Sequence, residues 1–230
     1  MPHDDTTTTQ NNPAGSGNLL ILLCAPSHDD LTEYTSKLLE NFQSLGEPTV
    51  FCKIESPLTY DQLLSNLAVD PKTTEIGLIF CGHGETASLQ GPGAPPGTPD
   101  YKKLRSFFYD DSFLHLGPTF MLAFCCSAAV ELGDAYYRLT TGSTFVGFDD
   151  EIGFVKKGGD YADWWRKILH TSASAMLSAN DIQELEKPIR EIYQEALAHF
   201  DPRTGRRYRW GLMMRAYLRK QLKDISFIRT

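Results

Sequence analysis

The sequence predicts an α/β fold in which a mostly parallel sheet is flanked by helices on both faces. Short apolar runs alternate with amphipathic segments in the order strand, helix, strand, helix, strand. The apolar runs are continuous and do not alternate with polar residues, which is typical of parallel strands buried on both faces. With 230 residues, the chain is long enough for one large domain with a sizeable core.

Apolar runs predict strands at residues 19–24, 49–54, 76–81, 120–124 and 143–148. Ser27 or Asp29 can cap a first helix that runs to about residue 45. Helical spacing of apolar residues predicts further helices at about 59–67, 127–139, 161–177, 182–200 and 208–222. Pro188 should kink or restart the helix that contains it.

Two segments lie outside the alternating pattern. Residues 1–17 have almost nothing to bury, so we expect a disordered leader before a main domain at 18–200. Residues 85–100 are too rich in Gly and Pro for regular structure, and a loop of this length is often functional. Because this loop leaves directly from His83, we expect it to be flexible and to gate a site there.

The charge is distributed unevenly along the chain. The net charge is −7, yet residues 201–230 hold nine Lys or Arg residues against Asp201 and Asp224. We expect a basic C-terminal helical extension at 201–230 that packs on the same acidic domain, or else presents a surface to a protein partner. No nucleic-acid motif accompanies it, so nucleic acid is not an expected partner.

The cysteines and the hydropathy indicate a cytoplasmic protein. Cys24, Cys52 and Cys81 lie within or at the end of apolar runs, and the total of five is odd. This pattern is typical of reduced thiols and not of a disulfide framework. No apolar run approaches the 18 or so residues of a membrane helix, so no membrane segment is expected.

Two apolar runs end abruptly on reactive residues. His83 follows the run 76–81 and lies between Gly82 and Gly84, and the pair Cys125–Cys126 follows the run 120–124. Functional residues gather beyond the carboxyl ends of parallel strands, so an imidazole could activate a thiol there. Cys126 also begins a predicted helix, whose N-terminus favours a thiolate. The backbone N–H groups of Gly84 and Cys126 could hold an oxyanion.

The amino-acid sequences of these segments resemble those of a known family. LIFCGHGE, MLAFCCSAA and STFVGFDDEIGF are similar to segments of caspase-like (clan CD) cysteine peptidases, most of all the CHAT-domain branch, over roughly residues 19–180. The resemblance implies that His83 is the catalytic histidine and Cys126 the nucleophile. Cys125 occupies a position that the family usually gives to Ala, which favours Cys126 over Cys125.

The same resemblance implies further properties. The fold would be a caspase-like α/β sandwich, and the reaction would be hydrolysis of a peptide bond in a protein substrate without a metal or organic cofactor. Asp149 or Asp150 could line the S1 specificity pocket and meet a basic substrate residue. Latent members of the clan are commonly activated by a protein partner or by nicking. A role in regulated cell death or defence follows by analogy alone.

Other interpretations remain open. The chain could be a catalytically inactive caspase-like scaffold or partner-binding module, given the unusual Cys125. Asp149, Asp150 and Glu151 could be solvated turn or cap residues. Zinc bound by Cys81, His83, Cys125 and Cys126 lacks the paired C-x-x-C spacing of structural zinc sites. The remaining histidines have no supporting context, so no role is assigned to His3, His28, His115, His170 and His199.

Overall fold

The computed structural model describes residues 19–101, 103–109, 117–204 and 208–230. The strands are β1 (Leu19–Pro26), β2 (Thr49–Ile54), β3 (Glu75–Cys81), β4 (His83–Glu85), β5 (Ser88–Pro92), β6 (Leu104–Tyr109), β7 (Phe120–Phe124), β8 (Thr144–Phe148) and β9 (Ile225–Arg229). The α-helices are α1 (Asp30–Glu40), α2 (Tyr60–Asn66), α3 (Glu131–Leu139), α4 (Asp160–Ser178), α5 (Ile182–His199) and α6 (Gly211–Asp224). The predicted leader at 1–17 lies outside the described residues.

Six strands form a mostly parallel sheet in the order β2-β1-β3-β7-β8-β9. All neighbouring pairs are parallel except β8 and β9, which are antiparallel. The predicted α/β fold is therefore confirmed, and the arrangement is consistent with a caspase-like fold. The five strands expected from apolar runs are the five parallel ones, because a strand buried on both faces is apolar throughout.

Each face of the sheet has its own apolar core. One core joins alternate strand residues to α1, α4, α5 and α6, with Trp165 fully buried at its centre. The other joins the opposite residues of the same strands to α2, α3 and the small second sheet, and Tyr60 and Phe107 are buried there. Helices therefore flank both faces, as the sequence predicts.

The segment that follows His83 differs from the prediction. Strands β4, β5 and β6 form a three-stranded antiparallel sheet, so the expected irregular loop at 85–100 contains a regular strand, β5. Leu89 and Gln90 of β5 are buried, at 0% and 4% exposed. Burial of Leu89 against the large sheet stabilises the hairpin despite the neighbouring Gly91 and Pro92. A deletion of residues 88–98 would therefore remove buried core residues of β5 as well as the loop, and should lower stability.

The helices differ from the prediction at three points. Helix α1 ends at Glu40 and not near residue 45, and helix α3 begins at Glu131 and not at residue 127. Pro188 lies inside one continuous helix, α5. Near the C-terminus, α6 is followed by β9, an edge strand that the sequence analysis did not predict. Met214 and Leu218 of α6 are fully buried in the first core.

We predict that Leu218→Ala lowers the free energy of unfolding by about 2–5 kcal/mol, the usual cost of truncating a buried leucine. Leu212 of the same helix is 76% exposed, so Leu212→Ala should change it by less than about 0.5 kcal/mol. Chemical denaturation followed by circular dichroism measures both variants. Equally small effects would mean that α6 does not belong to the cooperatively folded domain.

Candidate active site

The pairing of β3 with β7 brings the two predicted catalytic residues to the same edge of the sheet. The last registered pair is Cys81 with Phe124, and the Gly82 N–H donates to the Phe124 carbonyl at 3.4 Å. His83 and Cys126 each follow this pair by two residues. They therefore leave the carboxyl ends of adjacent parallel strands at the same level.

The same edge contains the point where the strand order reverses. From β1 the chain proceeds to β2 on one side, and then to β3 on the other. In open α/β sheets, ligands bind beyond the strand ends at such a switch point. The residues that follow β1 here include His28 and Asp29, which the structure brings beside His83.

Asp29 holds His83 by a hydrogen bond. The His83 Nε2 atom lies 2.6 Å from Asp29 Oδ2. A carboxylate only accepts hydrogen bonds, so Nε2 carries the ring proton in the neutral imidazole, and Nδ1 is left with a lone pair. His83 is thereby held in one orientation and one tautomer.

Asp29 is itself fixed because it caps helix α1. Its Oδ1 atom accepts hydrogen bonds from the backbone N–H groups of Leu31 at 3.0 Å and Thr32 at 2.8 Å. Burial alone would raise the pKa of Asp29, but the hydrogen bonds from the Thr32 amide and from His83 outweigh it and lower the pKa to about 2. The carboxylate is therefore ionised at any pH near neutral.

His28 is the second residue that the sequence analysis did not identify. Its ring is 4% exposed, and its centroid lies 5.7 Å from that of His83. Burial lowers the pKa of His28, although the nearby Asp29 charge opposes this shift. The hydroxyl of Tyr101 donates to the Ser27 carbonyl, and its ring packs edge-on against His28.

Gly84 packs directly against the cysteine pair. A Cβ atom at this position would lie 2.5 Å from Cys125 Sγ and 2.6 Å from the Cys126 carbonyl oxygen. Only glycine leaves room for this approach of β4 to the turn after β7. Gly84 thus holds the His83 and Cys126 segments in contact, a packing role distinct from the oxyanion role expected of it.

The two cysteines differ in access to solvent. Cys125 is 0% exposed, and burial raises its pKa well above the ordinary value. Cys126 is only partly buried. Its Sγ accepts a hydrogen bond from the Ile152 N–H at 3.4 Å and can donate to the Ile152 carbonyl at 3.8 Å. Cys126 is therefore the thiol of the pair that a substrate can reach.

The expectation that a helix N-terminus activates Cys126 is wrong. Helix α3 begins five residues later, because the N–H groups of Glu131 and Leu132, which a helix from residue 127 would direct to the carbonyls of residues 127 and 128, donate to the Thr86 carbonyl instead. Ser127 also adopts a left-handed conformation, with φ of 52°. Burial raises the pKa of Cys126, and the hydrogen bond from the Ile152 amide opposes this only in part. Among the described residues, no acceptor faces the backbone N–H of Cys126.

The two candidate specificity acids are both held by the C-terminal segment. Asp149 accepts hydrogen bonds from the Ser226 hydroxyl at 2.8 and 2.7 Å. Asp150 lies 2.5 Å from the Lys220 ammonium, which also contacts Asp224 at 3.0 Å. The hydrogen bond from Lys220 lowers the pKa of Asp150, so this acid is ionised and paired.

A surface cavity of about 380 Å³ lies elsewhere, between α1 and the segment before α4, and is lined by Tyr34, Lys37 and Lys157 among others. Its lining includes neither His83 nor Cys126. The site at the strand ends is thus recognised by the register of the strands and by its chemistry, not by the depth of a pocket.

Neither a known family model nor a curated protein matches the chain. Within the described ranges, no helix combines the length and the apolar character needed to cross a membrane.

We predict that Gly84→Ala lowers the free energy of unfolding by about 1–3 kcal/mol, because the new methyl group overpacks the turn at Cys125 and Cys126. At Gly158, a Cβ atom would meet nothing within 4 Å. Gly158→Ala is therefore the matched control, and chemical denaturation compares the two. A tolerated Gly84→Ala would contradict the close approach of these segments.

The thiol of Cys126 should titrate above the ordinary range for cysteine. Lys220 lowers the pKa of Cys126 and Asp150 raises it, so Lys220→Gln should move the pKa further up. The measurement is the rate of iodoacetamide alkylation against pH, read by peptide mapping with fragment ions that separate positions 125 and 126. Lys223→Gln, which removes a more exposed ammonium of the same helix that pairs with Asp224 at 3.7 Å, is the control. An unchanged midpoint in Lys220→Gln would contradict the proximity of Lys220.

Proposed function

We propose that this protein is a cysteine endopeptidase of the caspase-like type, in which His83 activates Cys126. The observation that carries the proposal is the β3–β7 register, which brings both residues to one level at the carboxyl edge of the sheet. The hydrogen bond of His83 with Asp29 and the accessibility of Cys126 support the same assignment. The family resemblance of the sequence motifs to CHAT-domain peptidases points to the same reaction.

In the proposed reaction, the Nδ1 atom of His83 takes the proton of the Cys126 thiol. The thiolate attacks the substrate carbonyl carbon, and the resulting oxyanion is held by the N–H of Cys126, with Gly84 as the second expected donor. His83 then protonates the leaving amine, and an acyl-enzyme remains. Water, activated by His83, hydrolyses this thioester and restores the free thiol.

Asp29 acts as a positioning residue in this reaction. It keeps the proton on Nε2, so that Nδ1 stays available to the thiol, and its negative charge stabilises the imidazolium that forms. The principle is that of the catalytic triad, in which a buried carboxylate orients the histidine. Because the Asp29 pKa is about 2, the carboxylate keeps its charge at neutral pH.

The hydrogen bonds of the resting protein indicate latency. Cys126 bonds with the backbone of Ile152, and His83 bonds with Asp29. Among the described residues, no hydrogen bond joins the thiol to the imidazole. We infer that activation moves the segment around Ile152, which is consistent with a protein activator. A substrate with a basic residue at the specificity pocket would have to displace Lys220 from Asp150.

A cytoplasmic location and a role in regulated cell death or defence belong to this proposal through the resemblance alone. A second candidate function is an inactive caspase-like module that binds partners. The hydrogen bonds of Cys126 with Ile152 favour it, because they occupy the thiol in the resting state.

The proposal is tested with electrophilic peptidyl acyloxymethyl ketones that vary in the residue before the reactive carbonyl, basic residues included. Wild type should be labelled at Cys126, whereas Cys126→Ala should not be labelled and His83→Ala only slowly. Cys52→Ala, which removes a buried thiol remote from the site, is the control. To test cleavage, wild type and Cys126→Ala are each mixed with cell extract and a proteome-derived peptide library, and the cleaved peptides are compared. No labelling and no Cys126-dependent cleavage would leave the inactive module as the function.

Asp29→Asn should reduce the rate of labelling by between about 10- and 10⁴-fold, the upper limit being the effect of the equivalent change in a serine peptidase. Asparagine is as good a helix cap as aspartate, so the unfolding midpoint should change little. A purely structural role of Asp29 would instead lower the unfolding midpoint and leave the labelling rate of the folded protein as it is.

A further inference from the structure

His28, Asp29 and His83 form a cluster of side chains of the types that bind metal ions. One potential ligand atom of each residue lies within 4.8 Å of the others. The ligands of a tetrahedral zinc ion are about 3.3–3.5 Å apart at zinc–nitrogen and zinc–oxygen distances of about 2.0–2.1 Å. Asp29 and His83 already lie closer than this, at 2.6 Å, so small side-chain movements would bring all three into a common coordination sphere.

The ring of His28 provides the independent observation. Both of its nitrogen atoms are buried, and no described protein group hydrogen-bonds with either one. Leaving a buried polar group without a partner typically costs about 1–3 kcal/mol. The backbone around the ring is well fixed, since the His28 N–H donates to Thr32 Oγ1 at 3.0 Å. A metal ion would satisfy one of these nitrogen atoms.

We propose that His28, Asp29 and His83 bind a Zn²⁺ ion, and that this ion inhibits the site by occupying His83. Two imidazole nitrogens and one carboxylate oxygen form the ligand set of an open zinc site, with the fourth position left to water. Calcium and magnesium prefer oxygen ligands throughout, so the two histidines select against both ions.

The oxygen available to the ion is Oδ2 of Asp29. Oδ1 is occupied by the N–H groups of Leu31 and Thr32 and by the Thr32 hydroxyl at 2.9 Å. Oδ2 accepts a hydrogen bond from Nε2 of His83, and a single proton lies between the two atoms. A zinc ion would replace that proton between them. The helix cap through Oδ1 would then persist, and metal binding would not require α1 to unfold.

The inhibition follows from the tautomer of His83. Without metal, Nε2 carries the proton and Nδ1 is the base. With zinc on Nε2, the neutral ring must carry its proton on Nδ1, and this nitrogen can then only donate. It can no longer take the proton of Cys126. This part of the inference depends on the proposed function, whereas the binding of zinc does not.

The binding is tested on the full chain, freed of metal, by competition for Zn²⁺ with a chromophoric chelator. Wild type should bind one ion. His28→Ala and His28→Phe, which keeps an aromatic ring but no ring nitrogen, should each bind at least about 100-fold more weakly, which exceeds the usual effect of losing an outer-shell partner. His170→Ala is the matched control, since His170 packs against Phe42 outside the cluster. Thermal unfolding without metal shows that each variant is folded.

Two further measurements separate this site from a thiol site. Cys126→Ala should keep the zinc affinity of wild type within about threefold, a change of less than 1 kcal/mol. Cobalt(II) bound in place of zinc should show ligand-field bands without a thiolate charge-transfer band. The proposal would be overturned if both His28 variants still bound one zinc ion with the affinity of wild type, or if Cys126→Ala lost zinc binding. So would wild type that binds zinc no better than His28→Ala.

The inhibition is tested by peptidyl ketone labelling of Cys126 with and without one equivalent of Zn²⁺. Zinc should slow labelling of wild type at least about tenfold and leave His28→Phe unaffected. Equal slowing of both proteins would place the inhibitory ion elsewhere and refute this part. If the metal-free wild type is labelled neither alone nor in cell extract that can supply an activator, and shows no Cys126-dependent cleavage, the peptidase proposal fails, while the binding measurements still decide the zinc site.

Discussion

The parallel pairing of β3 with β7 is the constraint on which the candidate site depends. Two strands in register place the residues that follow them at one height, and here those residues are His83 and Cys126. Residues of both strands are buried in the apolar core on each face of the sheet, so the packing of these cores fixes the positions from which His83 and Cys126 begin. Because Gly84 has no side chain, the segment after β3 can contact the turn after β7.

Asp29 connects this edge of the sheet to its flanking helix. One carboxylate oxygen caps α1 and the other meets His83, so the orientation of the imidazole is coupled to the position of a helix. A residue with two such partners has little freedom to rotate. The same geometry leaves His28, its neighbour in sequence, buried beside the pair without a described hydrogen-bond partner for its ring.

The sequence predicted the parts of the fold that depend on local patterns. Continuous apolar runs identified all five parallel strands, because strands buried on both faces are apolar throughout. Strand β5 was missed because Gly91 and Pro92 are rare in strands, and only the burial of Leu89 against the large sheet explains it. The start of α3 was misplaced because the amides of Glu131 and Leu132 bind the carbonyl of Thr86, which lies far away in the chain, and no local pattern reveals this.

In the candidate site, too, the sequence reveals residues that follow a local pattern and misses contacts between distant parts of the chain. His83 and Cys126 were found because each ends an apolar run, which is a local signal. Asp29 was recognised only as a helix cap, and its contact with His83 depends on the strand order, which the sequence does not specify. His28 lies two residues after the first strand, but a single histidine without a partner motif indicates little about function. The pairing of Asp150 with Lys220 joins residues far apart in the chain.

The pairing of Asp150 with Lys220 has a consequence for the ionic environment of the protein. Both side chains are substantially exposed, at 62% and 39% of their surface, and dissolved ions screen such contacts strongly. If a cationic substrate residue meets Asp150, as proposed, it would replace Lys220 as the partner of this carboxylate, and the number of ion pairs would stay the same. Selectivity would then depend on shape and on guanidinium geometry more than on net attraction.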